Sequence, residues 1–206
     1  SGEKLNIKGI CVFAALGFFL DEDTYFEDLK VVKPATELVL DGNKIDSSTT
    51  NFKWQYSPRD ISLKEAVNEF AILFERIIEG QTKNKKVILP LSGGLDSRTQ
   101  AAALHQLGSD VNAYGYAFRG GHDETSYGKK IAGACKFPFQ DWKVPPGYLW
   151  DDIEKLAEIN GCYSEFTHPR QMAFINEYAK LGDIFSLGHW GDVLFDDMKV
   201  PDDLPF

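Results

Sequence analysis

The segment Pro90-Leu-Ser-Gly-Gly-Leu-Asp-Ser97 holds residue types suited to binding an anion. Two adjacent glycines, Gly93 and Gly94, let the main chain turn sharply and approach a ligand closely. A helical pattern follows at once, so free N–H groups and the helix dipole favour negative charge at that point. Ser92 and Ser97 add hydroxyl donors for phosphate oxygens. Asp96 would repel a bare phosphate; its chemistry is to meet a magnesium ion or to cap the helix. The string G-x-x-x-x-G-K-[ST], whose lysine reaches a terminal phosphate, does not occur. Such a loop suits pyrophosphate held as a leaving group better than transfer of a terminal phosphoryl group. A plain strand-to-helix turn is the competing reading. The placement of the whole LSGGLDS string between an apolar strand and a helix favours the anion site.

The elements that must position this loop follow from hydrophobic periodicity. Lys86 to Leu91 reads as a short strand buried on both faces, and Asp96 to Leu107 as a helix closed by Gly108. A strand over Val111–Phe118, a helix over Asp123–Cys135 and a short strand over Phe137–Trp142 come next. Helices are expected within Leu149–Ile159 and His168–Lys180, then a strand over Asp183–Leu187. Upstream, Ser62 and Glu65 form a capping box. Ala66, Val67, Phe70, Leu73, Phe74, Ile77 and Ile78 then share one helical stripe that Gly80 ends. The alternation predicts an α/β fold, a parallel sheet with flanking helices and its ligand at the strand carboxyl ends.

Residues 1–58 read differently, as a linker helix and hairpin ahead of a nucleotide-binding domain over 59–206. The apolar run Ile10–Leu20 is too short to span a bilayer and lacks a small-residue cleavage site, so a buried helix is expected. The acidic stretch Asp21–Asp28 reads as a solvated face. Glu37–Ile45 carries the Asp-Gly signature of a hairpin, with an edge strand expected over Phe52–Tyr56 and a break at Pro58.

Composition bounds the function. Among 206 residues, 43% are hydrophobic and 26% charged, which is ordinary for a globular protein. Lys plus Arg number 22 and Asp plus Glu 31, a net charge of −9, which argues against nucleic acid as the main partner. Cys11, Cys135 and Cys162 are far apart and form no CxxC pair, so neither a zinc site nor a disulfide framework is expected. A cytoplasmic protein that does not enter the membrane fits these features.

SGGLDS in this setting resembles the pyrophosphate loop of the N-type ATP pyrophosphatases, and most closely the synthetase domain of glutamine-dependent asparagine synthetases. Weaker marks extend the resemblance over residues 9–198. Asp23–Ala35 is similar to that family's linker, with Ala35 where Gly is usual, and Phe52-Lys-Trp54 resembles the Tyr-Trp that ends it. Asp123-Glu124 resembles the acidic pair after the second strand. Ser186-Leu-Gly-His-Trp-Gly-Asp-Val-Leu-Phe195 is similar to the family's S-G-x-G-x-D-E-L-F segment.

The resemblance implies ATP and Mg²⁺ as cofactors. Ser92, Gly93, Gly94, Asp96 and Ser97 would hold the pyrophosphate end of ATP, and Leu91, Tyr116 and Ala117 would frame the adenine. Gly188 would lie beside the nucleotide. Asp96 and Asp192 would be the acidic groups on the metal–pyrophosphate unit. Two residues depart from the pattern: His189 stands where these synthetases usually carry Glu, and Val193 replaces the Glu of the Asp-Glu pair. His189, with an ordinary pKa of ~6.5, suits proton transfer in place of that Glu; packing beside Trp190 is the alternative.

The expected reaction is adenylation of a small-molecule carboxylate, aspartate in the leading case, with amide formation from ammonia. That ammonia would come from a glutaminase domain absent from this chain. A homodimer is also expected, as is a longer parent protein of which this chain is a fragment. A non-catalytic nucleotide-binding module, or an enzyme that amidates another carboxylate, stays open. Among other candidates, His122 with Asp123 and Glu124 reads as an acidic helix cap. Arg170 has the geometry to hold a substrate carboxylate or to serve as a surface residue.

Overall fold

A computed structural model of the protein describes residues 4–53, 55, 57–121, 125–160 and 170–188. The chain divides into two compact units, Ser1–Asp60 with Leu149–Pro169, and Ile61–Tyr148 with Arg170–Phe206. No helix among the described residues is long and apolar enough to cross a membrane.

In the first unit, α1 spans Ile7–Leu16. Asn6 caps its start by accepting the Gly9 N–H at 2.9 Å. Gly17, at φ 81°, ends it and donates to the Phe13 carbonyl. The helix therefore begins earlier and stops sooner than the apolar run suggests. Nor is it buried as expected: Cys11 is exposed and Leu16 is 49% exposed. Instead, Phe13, Phe19 and Tyr25 gather with ring centroids 4.8–5.4 Å apart. Strands β1 (Thr36–Asp41) and β2 (Lys44–Thr50) form the expected antiparallel hairpin around the Asp-Gly turn. The expected edge strand is absent at Phe52 and Lys53. Asn51 N–H donates to the Ala35 carbonyl, closing the hairpin just before them. Ala35 takes φ 54°, the left-handed region that a glycine would occupy freely.

The second unit opens with α2 (Leu63–Thr82). The capping box is present: Glu65 N–H donates to Ser62 Oγ at 3.3 Å, and Ser62 N–H donates to the Glu65 carboxylate at 2.9 Å. Gly80 does not end the helix, which runs on to Thr82 until Lys83 leaves helical geometry. The expected apolar stripe is only partly used. Ile78 is buried and Phe74 packs on the core, while Val67 is 55% and Ile77 46% exposed.

Strands β3 (Val87–Pro90), β4 (Val111–Phe118), β5 (Phe139–Val144) and β6 (Ile184–Phe185) form one sheet. Their order is β5-β4-β3-β6 and every pairing is parallel. Helix α3 (Leu95–Gln106) joins β3 to β4, and α4 (Thr125–Cys135) leads from β4 to β5. Between the second and third of these strands in sequence, Lys136 turns left-handed and Phe137 N–H donates to Ala132. Phe137 thus finishes α4 rather than starting a strand, and β5 begins two residues later than expected. Helix α5 covers Tyr148–Asn160 and, from Leu149 on, belongs to the first unit. The single helix expected up to Lys180 is instead a 3-10 turn, Arg170–Phe174, followed by α6 (Ile175–Leu181).

Strand alternation sorts the core into two faces. Val87, Leu89, Val111 and Ala113 point one way and meet Ala101, Leu104 and Ala132. Ile88, Tyr114, Tyr116 and Trp142 point the other way and meet Phe174 and Tyr178. The sheet order reverses direction between β3 and β6, and chains leaving those two strands must diverge. Such a switch point opens a crevice at the carboxyl edge.

Candidate functional site

The LSGGLDS segment sits at that edge, between β3 and α3. Gly94 is the residue before the helix, with φ −69° and ψ 157°, and among the described residues no side chain caps the first turn. The first-turn amides that a helix leaves without an internal partner therefore lack a side-chain acceptor, as an anion site requires. The loop itself is knitted by its two serines. Ser92 N–H donates to Ser97 Oγ at 3.3 Å and Gly94 N–H donates to Ser92 Oγ at 3.1 Å. The two hydroxyls lie 3.1 Å apart, and Ser97 Oγ is also within reach of the Gly94 carbonyl at 3.2 Å. The serine hydroxyls expected to serve phosphate oxygens are thus bonded within the loop. Two loop amides and both hydroxyls are engaged locally, and the open donors belong to the helix start.

Close backbone approach holds the loop in place. A Cβ on Gly128 of α4 would stand 2.2 Å from the Leu91 carbonyl oxygen. One on Gly115 of β4 would stand 3.0 Å from Phe139 and 3.4 Å from that same oxygen. Gly128 must be glycine for α4 to seat over the end of β3, while a side chain at Gly115 would press on the Phe139 ring. Tyr127 covers the loop from α4, its Cβ 3.1 Å from where a Gly93 side chain would begin.

Beside the loop lies a cavity of about 340 Å³. Leu91, Ser92, Tyr116 and Ala117 line it together, as do Phe118 and Arg170. The three residues expected to frame an adenine thus share one wall with the start of the serine–glycine loop. The Arg170 guanidinium lies 5.5 Å from the centre of the Phe118 ring, a cation–π distance. This leaves a half-buried cation at the cavity wall. Behind it, burial pushes the Tyr114 phenol up from its ordinary pKa, and burial with the neighbouring Tyr114 does the same to Tyr178. Both groups stay neutral in ordinary buffers. Their hydroxyls influence one another's ionisation, yet neither meets hydrogen-bond geometry with a described residue.

Gly188 follows β6 and touches the other side of the loop. A Cβ there would lie 2.9 Å from Asp96 Cβ. Asp96 itself is half-buried in the first turn of α3. No cluster of three metal-ligating side chains occurs among the described residues. One carboxylate beside open amides still fits magnesium, which takes one or two carboxylates and fills its shell with water and phosphate oxygens. His189 and Asp192 lie outside the described residues, as do His122, Asp123, Glu124, Cys162 and Val193. Gly115, Gly128 and Gln100, which holds the segment after β6, escape sequence reasoning. An isolated glycine inside a strand pattern was the available signal for Gly115.

No family model matches the chain, and no curated protein matches it. Among solved structures it is similar to a glutamine-dependent NAD+ synthetase from Acinetobacter baumannii in complex with adenosine diphosphate. The identity is 14% and the TM-score 0.44, over 71% of this chain and 29% of that one. The chain therefore spans less than a third of that protein's length.

Proposed function

We propose that the chain binds Mg·ATP at the carboxyl edge of its sheet and takes part in ATP-dependent amide formation. The observation that carries this reading is one juxtaposition: a Ser-Gly-Gly loop and an uncapped helix start opening beside a cavity walled by Leu91, Tyr116 and Ala117. The cavity suits a flat base held by apolar side chains and backbone groups. The helix start suits the pyrophosphate end. Magnesium, when bound, supplies positive charge to the departing pyrophosphate, and Asp96 is the described carboxylate suited to hold it.

In the proposed reaction a carboxylate oxygen attacks the α-phosphorus of ATP. The bond to the β-phosphate breaks and pyrophosphate leaves. An amine nitrogen then attacks the acyl carbon, releasing AMP and leaving the amide. The protein's part is to orient the reactants and to stabilise the departing charge. Arg170, on the cavity wall, would hold a second anionic group such as the carboxylate substrate. Aspartate with ammonia is the leading substrate pair, on the resemblance of SGGLDS and Ser186–Phe195 to asparagine synthetases. Asp192 would add a second carboxylate to the metal, and His189 would move protons.

The test is calorimetric titration of the full chain with Mg·ATP, followed by pyrophosphate release with aspartate and ammonia. Asp96→Ala is expected to weaken Mg·ATP binding by at least about tenfold, the scale of one charge-assisted contact. Unchanged affinity in that variant removes Asp96 from the site. A second reading is favoured by His189 and Val193, which stand where the resembled family has Glu. Under it the chain binds nucleotide without catalysis, and ATP binding with no carboxylate-dependent release would select it.

A further inference from the structure

Gln100 lies one helical turn beyond Asp96 on the same face of α3. Its side chain is buried at 8% exposure, unusual for an amide unless it is held by partners. Both ends are engaged across the crevice. Ser186 Oγ donates to Gln100 Oε1 at 2.5 Å, and Gln100 Nε2 donates to the Leu187 carbonyl at 3.4 Å. Ser186 is itself buried, at 6% exposure. Two residues further on, Gly188 meets Asp96 with no room for a side chain. The segment leaving β6 therefore runs along one face of α3, fastened at Gln100 and seated at Asp96.

We infer that Gln100 is a positioning residue: it clamps Ser186–Gly188 against α3 and so fixes Asp96 and the open helix amides relative to the chain leaving β6. The inference rests on the nucleotide reading above, because it assigns Gln100 to the phosphate end of that site. β6 has only two residues paired with β3, at Ile184 and Phe185. Ser186 N–H continues that ladder by donating to the Ile88 carbonyl at 3.0 Å, and beyond it the Gln100 side chain takes over, bonding the Ser186 hydroxyl and the Leu187 carbonyl. An apolar residue of similar size would leave the Ser186 hydroxyl without its acceptor.

The experiment titrates the full chain with two probes, Mg·ATP and adenosine, in wild type, Gln100→Leu, Ser186→Ala and the double variant. Circular dichroism confirms that each is folded. Each single change is expected to weaken Mg·ATP about tenfold and to leave adenosine within about twofold, as loss of one buried hydrogen bond near the phosphates would. The double variant should bind no more weakly than the worse single variant, because both remove one shared contact. A purely structural role would lower both affinities alike, and that outcome overturns the inference. So does wild-type Mg·ATP affinity in both single variants. Wild-type protein that binds neither probe sinks the nucleotide reading itself, and this role with it. If Gln100→Leu does not fold, Ser186→Ala carries the same comparison alone.

Discussion

The two faces of the four-stranded sheet are built from different materials. On one, Val87, Leu89, Val111 and Ala113 meet the small side chains of α3 and α4, and several of these residues are 0% exposed. On the other, Tyr114, Trp142, Phe174 and Tyr178 stack with ring centroids 4.7–5.7 Å apart. The aliphatic face brings helices so near the strands that only glycine fits at position 128. The aromatic face fills space with large rings and leaves two phenol hydroxyls without a described partner. The first arrangement seats α4 directly on the Leu91 carbonyl, where the loop after β3 begins. The second forms a broad wall beside the cavity. Volume therefore limits the aliphatic side, and hydrogen bonding limits the aromatic side.

That contrast is open to direct attack. Leu89→Ala opens a void in the aliphatic face, with an expected cost of ~4 kcal/mol in urea unfolding. A loss under about 1 kcal/mol would mean the face is not tightly packed. Gly128→Ala adds one methyl against the Leu91 carbonyl and should cost ~2 kcal/mol through forced displacement of α4. It should also weaken Mg·ATP, because the displaced carbonyl begins the loop; intact binding would separate packing from site geometry. On the aromatic face Tyr178→Phe should be neutral or stabilising by up to ~1 kcal/mol, since the deleted hydroxyl has no described partner to lose. A clear loss of stability would reveal a hydrogen bond at that hydroxyl, with the neighbouring Tyr114 phenol the first partner to test.

The smallest effect concerns α2, whose far end packs on the aliphatic face. Hydrogen bonds from the Ser62 hydroxyl and then its backbone N–H hold the Glu65 carboxyl below its ordinary pKa. A group with a lowered folded pKa adds stability above its unfolded value and loses that share as pH falls through the folded one. Wild type should therefore lose slightly more stability than Glu65→Gln below about pH 4.3, and parallel pH profiles would show that the box contributes nothing measurable.

Local signals in the sequence were reliable where local physics decides the outcome. Strand β4 runs Val111–Phe118 as its apolar pattern predicts, and α3 begins one residue from the predicted start. The capping box at Ser62 and the Asp-Gly hairpin also need only neighbouring residues. The loop of the candidate site was legible for the same reason, since its two glycines and its flanking strand and helix are contiguous. Gln100 was not legible, because its meaning lies in a bond to a residue 86 positions away. The internal pairing of Ser92 and Ser97 was missed because hydroxyls announce a donor without saying which acceptor they choose. The α2 stripe failed differently: periodicity identifies an apolar face but not how much of it another element covers.

Strand β5 occupies one margin of the sheet among the described residues, and what it carries there has a bearing on self-association. Asp141 and Lys143 stand out into solvent on it, and two prolines, Pro145 and Pro146, follow at once. An incoming strand would have to desolvate both charges and would find two residues with no N–H to offer. Lateral growth into cross-β fibrils is thereby discouraged at the place where an open ladder would otherwise invite it.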